Sequence, residues 1–164
     1  MTDSGGSKRV HVLVCGERLR GDDAAAVLAV EMLSPDVRSQ AQIQEVGQLT
    51  VEVLLDVPDG VAVVVADAAV GVAPGGVVVL PLSEVARSTG SGAIPASSHS
   101  LPPDQVLALA AELRGSMPRG VFVGIGGAEF GFGERLSPAV EAGLPAFAAV
   151  VAREIRRLAG QPGQ

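Results

Sequence analysis

The chain has 164 residues, a formal net charge of −6, a hydrophobic content of 48% and an aromatic content of only 2%. That length suits one domain with a sizeable core, and the hydrophobic content excludes a disordered chain. The acidic charge and the absence of Trp and Tyr argue against nucleic acid as a partner, because such partners require basic side chains and single strands also stack on aromatic rings.

Cys15 is the only cysteine, so no internal disulfide can form, and we predict a reducing, cytoplasmic location. No apolar run approaches the ~20 residues needed to cross a bilayer, and the run at 10–15 is too short for a secretion signal. A membrane is therefore not expected as a partner. The sequence indicates no oligomeric state.

Apolar patterning predicts strands that alternate with helices. In chain order, the predicted elements are a strand at 10–15, a helix at 22–33, a strand at 41–46, a helix at 50–55, strands at 61–66 and 77–80, a helix at 101–113, a strand at 121–125 and a helix at 137–158. Asp67 is expected to end the third strand, and Pro145 is a candidate kink in the last helix.

This alternation predicts an α/β fold, a three-layer sandwich with a mostly parallel five-stranded sheet and helices on both faces. The short loop between the strands at 61–66 and 77–80 favours one antiparallel pair. We predict a single α/β domain over residues 1–164, with flexible segments at 1–9 and 159–164.

Three side chains in loops that follow predicted strands are the candidates for chemistry: Asp23, Asp67 and His99. Ligands of open parallel sheets bind outside the carboxyl ends of the strands, so these loops are expected along one edge. Two carboxylates and an imidazole suit a divalent metal of hard to borderline character. If the three converge, they form a metal-recognising site.

Each candidate also has a structural interpretation. One of Asp22 and Asp23 is expected to cap a helix, where a carboxylate interacts favourably with the helix dipole. Asp67 follows six apolar residues, and loop amides could satisfy it as well as a cleft could. His99 lies in a serine-rich loop, where a solvated histidine is the default.

Other chemistries find little support. The serines that flank His99 lack a Gly-x-Ser-x-Gly elbow. Cys15 lies in an apolar strand, where burial raises the thiol pKa and argues against a thiolate nucleophile. His11, inside the first strand, is interpreted as structural. The loop at 16–23 lacks a phosphate-loop ending, and residues 124–127 lack the third glycine of a dinucleotide fingerprint.

Four sequence blocks, taken in order, resemble the hydrogenase maturation endopeptidases. The blocks are VLVCGERLRGDD at 12–23, VVVADA at 63–68 with APG at 73–75, SHSL at 98–101, and VGIG at 123–126 with GERLSPAV at 133–140. The resemblance extends over about residues 10–158, and the order and spacing of the blocks make it specific.

The resemblance implies a protease that removes a C-terminal extension from the large-subunit precursor of a nickel–iron hydrogenase after nickel insertion. Asp23, Asp67 and His99 would be the nickel ligands and the catalytic residues. The nickel would be carried by the substrate rather than held permanently. The metal would polarise the scissile carbonyl or activate water, or else Asp23 or Asp67 would act as a general base.

Two residues depart from the family pattern. Glu17 stands where the family usually has Asn, and Ala24 stands where Gly usually follows the acidic pair. The added charge of Glu17 would tighten metal contact or repel acidic groups of the substrate. These departures support one alternative, a non-catalytic maturation chaperone that binds the large subunit, and a second alternative is a small-molecule α/β hydrolase. The loops at 88–98 and 126–133 are the candidates for gripping a peptide.

Overall fold

The computed structural model describes residues 8–88, 101–133 and 135–161, and most of the two predicted flexible termini lies outside these ranges. The strands are β1 (Val10–Cys15), β2 (Ala41–Gly47), β3 (Ala62–Ala69), β4 (Val77–Pro81) and β5 (Gly120–Gly126). The helices are α1 (Ala25–Glu31), α2 (Pro35–Ser39), α3 (Val51–Leu55), α4 (Leu82–Arg87), α5 (Pro103–Arg114) and α6 (Pro138–Ala159), and a 3₁₀ turn spans Gly21–Ala24.

The strands form one mostly parallel sheet in the order β2-β1-β3-β5-β4. β1 pairs in parallel with β2 and β3, and β3 pairs in parallel with β5. The predicted antiparallel pair is present, but β4 pairs with β5 rather than with β3. The α/β fold with a mostly parallel five-stranded sheet is therefore confirmed.

The core consists of two apolar layers, one on each face of the sheet. Successive side chains of a strand point to opposite faces of the sheet, so alternate residues of β1 belong to different layers. Val12 packs in the layer with α1, α2 and α6, whereas Leu13 packs in the layer with α3, α4 and α5. These short β-branched strands, buried on both faces, have the near-continuous hydrophobic sequence that such a sheet requires.

Several element boundaries differ from the predicted ones. β3 continues through Asp67 to Ala69, because Asp67 pairs with Gly124 in the ladder to β5. Asp67 therefore lies within the strand instead of ending it, and its expected position was wrong. The predicted helix at 22–33 begins as a 3₁₀ turn, and the short helices α2 and α4 have too few residues for a periodic signal.

The last helix begins at Pro138 and continues to Ala159 with Pro145 inside it. Ser137 is its N-cap residue, but its side chain makes no cap hydrogen bond within the helix. Within the described residues, no helix is long and apolar enough to cross a membrane.

Phe147 on α6 tests how strongly the core depends on this helix, because its side chain is fully buried. We expect Phe147→Ala to lower the free energy of unfolding by about 3–5 kcal/mol, since it removes apolar contacts and leaves a cavity. Leu113→Ala, at a leucine that is 63% exposed, is the control and should change it by about 0.5 kcal/mol or less. Equal losses in urea denaturation would contradict this account of the core.

Candidate active site

Asp23 and Asp67 lie at the carboxyl edge of the parallel strands. β1 ends at Cys15 and leads into the turn that carries Asp23, while Asp67 lies near the end of β3. Cys15 packs with the layer of α3, α4 and α5, and the β3 residue Val65 belongs to the same layer. Because side chains alternate along a strand, Asp67 lies on this face as well.

The Asp23 carboxylate is fixed by the backbone of its own loop. The Glu17 N–H donates to Asp23 Oδ2 at 2.9 Å. Gly16 has a φ of +117°, and a Cβ at this position would overlap the carbonyl oxygen of Asp23. Only glycine therefore lets the chain pass this closely to Asp23.

Asp67 is the strongly perturbed acid of the site. Its Oδ1 accepts a hydrogen bond of 2.8 Å from the N–H of Ala68. Burial, followed by the negative charge of Asp23, raises the pKa of Asp67 to about 8, and the Ala68 hydrogen bond only partly opposes this. Asp67 therefore carries a proton near neutral pH.

The two acids interact electrostatically, and each keeps one oxygen available. Burial is the largest cause that raises the pKa of Asp23, and the nearby Glu17 charge acts in the same direction. Asp23 Oδ1 and Asp67 Oδ2 receive no hydrogen bond from any residue in the described ranges. Two neighbouring carboxyl groups with free oxygens can share a proton or bind a cation.

Asp22 has a different role from its neighbour. It is fully buried and accepts four hydrogen bonds, from the N–H groups of Ala128, Glu129 and Ser137 and from the Ser137 hydroxyl, at 2.7–2.9 Å. Burial alone would raise the pKa of Asp22, but these hydrogen bonds outweigh it and lower the pKa below its usual value. The prediction that Asp22 or Asp23 caps the helix that follows it was wrong, because neither side chain makes a cap hydrogen bond there. Asp22 instead accepts hydrogen bonds from Ser137, the N-cap residue of α6.

Two buried polar residues behave as the sequence predicted. Cys15 is buried, and burial, followed by the charges of Asp67 and Asp23, raises its pKa well above the usual value. A neutral thiol is a poor nucleophile, as expected. His11 Nε2 lies 3.0 Å from Gln44 Oε1, which is consistent with a structural histidine.

His99 and the flanking Ser97, Ser98 and Ser100 lie outside the described residues. Within the described ranges, no group of three or more His, Cys, Asp or Glu side chains is arranged to hold a metal ion. The described part of the predicted triad is therefore the pair Asp23 and Asp67, and its third member stays a prediction.

The two departures from the family pattern are accommodated without strain. Ala24 has a φ of −79° and is 2% exposed, so the backbone at this position does not require glycine. Glu17 is exposed, and its main-chain N–H, which any residue but proline would supply, makes the bond to Asp23. With Glu17 and Ala24 in place, the backbone hydrogen bond to Asp23 is made.

The raised pKa of Asp67 gives a test by pH. The folded state keeps the Asp67 proton up to pH of about 8, whereas the unfolded chain loses it near 3.8, so stability falls as pH rises between these values. We expect Asp67→Asn to gain about 2–3 kcal/mol over wild type between pH 5 and pH 9, because each pKa unit corresponds to ~1.4 kcal/mol and partial solvent access reduces the full shift.

Urea unfolding of both proteins across this pH range measures the difference. Asp56→Asn, at an exposed carboxylate outside the site, is the control and should show no such trend. A stability difference between Asp67→Asn and wild type that stays constant with pH would mean that Asp67 ionises like an ordinary carboxylate.

No protein-family model matches the chain, and no curated protein sequence does. Solved structures do match. The hydrogenase maturating endopeptidase HybD from E. coli is 27% identical, with a TM-score of 0.72 over 91% of this chain and 93% of the other. The NiFe hydrogenase maturation protease HybD from Thermococcus kodakarensis is 25% identical, with a TM-score of 0.68 over 88% of this chain and 97% of the other.

A third structure, of a hydrogenase 3 maturation protease, is 16% identical, with a TM-score of 0.65 over 96% of this chain and 97% of the other. At that identity the likeness concerns the fold alone. The two HybD structures add sequence likeness over most of both chains, so the similarity is not confined to a shared sheet. The predicted resemblance to the hydrogenase maturation proteases is confirmed by these structures, and the same similarity supports a peptidase enzyme.

Proposed function

We propose that this protease removes the C-terminal extension of a nickel–iron hydrogenase large-subunit precursor after nickel has been inserted. The single observation that carries the proposal is the acid pair. Asp23 and Asp67 come from separate segments, lie close enough for the Asp23 charge to raise the pKa of Asp67, and sit at the sheet edge where α/β proteins bind ligands. The matched structures are named as hydrogenase maturation proteases.

The donor set of the pair fits a divalent cation. Each acid has one oxygen held by a backbone N–H and a second oxygen without a donor from the described residues. A cation between the free oxygens would replace the Asp67 proton and relieve the repulsion that raises its pKa. We propose that nickel delivered by the substrate is this cation, so the site would recognise only a metal-loaded precursor.

His99 is the proposed third ligand. It precedes α5 by four positions in the sequence, and α5 packs on the same face of the sheet as Asp67. The end of α5 is close to the start of β5, so its first residue, Pro103, lies toward the carboxyl edge. Imidazole nitrogen together with carboxylate oxygen is a suitable set for a borderline metal such as nickel.

The two carboxyls are suited to different roles in peptide hydrolysis. Asp67 bears a proton at neutral pH while no cation is bound, and in the nickel-loaded site it is proposed to lose that proton and act as a metal ligand. Asp23 is the proposed acceptor of a proton from attacking water, and the same proton would then pass to the leaving amine.

The surface beside the acids can accommodate an extended peptide. A depression of about 860 Å³ is lined by the segment 16–20 and by Phe132, and it includes Gly16 and Glu17, which contact Asp23. Phe132 is 93% exposed and Leu19 is 53% exposed. This shape favours a protein segment over an enclosed small molecule, which supports the precursor as the proposed substrate. The proposed setting is the cytoplasm, because the lone Cys15 is a buried free thiol.

A cleavage assay tests the proposal. The protein is mixed with a large-subunit precursor, once nickel-loaded and once nickel-free, and the released C-terminal peptide is followed by mass. We expect release from the nickel-loaded form only. Asp23→Asn, Asp67→Asn and His99→Ala should each fold and lower the rate by about 100-fold or more, because each removes a metal ligand or a proton-transfer group.

The control is again Asp56→Asn, which makes the same chemical change at an exposed residue before β3, toward the opposite edge of the sheet. Full processing by any of the three site variants would reject the ligand assignment. Equal release from the nickel-free precursor would reject the metal check, and a stable complex without release would favour the chaperone.

A further inference from the structure

We propose that Asp22 is a positioning residue, which holds the Asp23 carboxylate and the glycine-rich loop at 127–133 as one unit. The value of this placement for cleavage rests on the proposed function, whereas the placement itself can be tested without metal or substrate. Asp22 touches neither the proposed metal nor the peptide, so it acts through its neighbours.

The first argument is the number of bonds that Asp22 makes. Its Oδ2 accepts from the N–H groups of Ala128 and Glu129 at 2.8 and 2.9 Å, and from the Ser137 hydroxyl at 2.8 Å. Its Oδ1 accepts from the Ser137 N–H at 2.7 Å. A buried carboxylate with four donors is held in one orientation, since any rotation would leave donors unsatisfied.

The second argument is that the backbone connects the same two segments. The Asp22 N–H donates to the Glu129 carbonyl at 2.7 Å, and the Gly21 N–H donates to the Gly133 carbonyl at 3.0 Å. The Gly133 N–H in turn donates to the Leu19 carbonyl at 2.9 Å. The turn that carries Asp23 is therefore joined to both ends of the glycine-rich loop.

The third argument is the position of Asp23 immediately after Asp22, whose four hydrogen bonds we call the Asp22 clamp. Its N–H donates to the Arg20 carbonyl at 3.1 Å, which closes the 3₁₀ turn around Asp22. Its side chain then reaches the Glu17 N–H. If the Asp22 clamp opens, the turn loses its anchor, and the bond between Asp23 and Glu17 should weaken as well.

Amide hydrogen exchange of the metal-free protein, read residue by residue by NMR, tests this coupling. In Asp22→Asn, the side-chain NH₂ group replaces one acceptor oxygen and therefore faces at least one of the four donors. The backbone N–H groups of Ala128 and Glu129 should then exchange faster. The decisive readout is the Glu17 amide, which Asp22 does not touch. We expect its exchange to accelerate by about ten-fold or more through local opening.

Ser34→Ala is the matched control, because it removes a side-chain cap from α2, which lies toward the opposite edge of the sheet. It lowers stability without touching the clamp, so the Glu17 amide should keep its wild-type exchange rate. Ser137→Ala removes only the hydroxyl donor to Asp22 and should give a smaller acceleration, about two- to three-fold. This variant keeps the test available if Asp22→Asn does not fold.

The overturning result is read in whichever of the two variants, Asp22→Asn or Ser137→Ala, folds. If the Ala128 and Glu129 amides exchange faster in it but the Glu17 amide keeps its wild-type rate, the inference is overturned and Asp22 is a purely structural residue. Calorimetry with Ni²⁺ alone then separates the two proposals. Weaker nickel binding by Asp22→Asn than by Ser34→Ala would support both. A wild-type protein that does not bind nickel would count against Asp23 as a ligand, while the exchange result would still decide the role of Asp22.

Discussion

The four hydrogen bonds that the buried Asp22 carboxylate accepts connect parts of the chain 106 to 115 positions apart. They tie the turn after β1 to the loop after β5 and to the first residue before α6. Without these donors, a fully buried charge would be very costly, and with them it fixes the geometry of three segments at one point. The carboxyl edge of the sheet, where the acid pair lies, is organised around this point.

The acid pair differs from Asp22, because its hydrogen bonds do not compensate for burial. Asp67 is partly buried beside another carboxylate, and the single hydrogen bond from Ala68 does not compensate for the loss of water. The charged form of such a carboxyl group is destabilised in the folded protein. This is common at sites that bind a proton or a cation. The neighbouring acids of this turn therefore have pKa values shifted in opposite directions. At Asp22 four hydrogen bonds outweigh burial and lower the pKa, whereas at Asp23 burial outweighs the single hydrogen bond from Glu17 and raises it.

The surrounding surface is consistent with a protease whose substrate is another protein. The aromatic ring of Phe132 is exposed to solvent, and the backbone of its loop is held on both sides of it. Gly133 makes backbone hydrogen bonds with Leu19 and Gly21, and the Glu129 carbonyl accepts one from Asp22. A preorganised apolar side chain costs little further entropy when a partner covers it. The loop lines a depression that also includes Gly16 and Glu17, so a segment bound there would lie beside Asp23, which these two residues contact.

The sequence by itself determined the alternation of strands and helices, because buried parallel strands leave an uninterrupted β-branched signal and helices leave a periodic one. It also drew attention to Asp67, since a charge after an apolar run is conspicuous, and to the adjacent acids Asp22 and Asp23, of which the family resemblance selected Asp23 as a candidate ligand. Only the tertiary structure decided that Asp67 lies within β3, because its ladder partner Gly124 is far along the chain. Likewise, it alone distinguished Asp22 from Asp23: the donors that separate a buried clamp from an available carboxylate come from residues more than 100 positions away, and no local pattern encodes them.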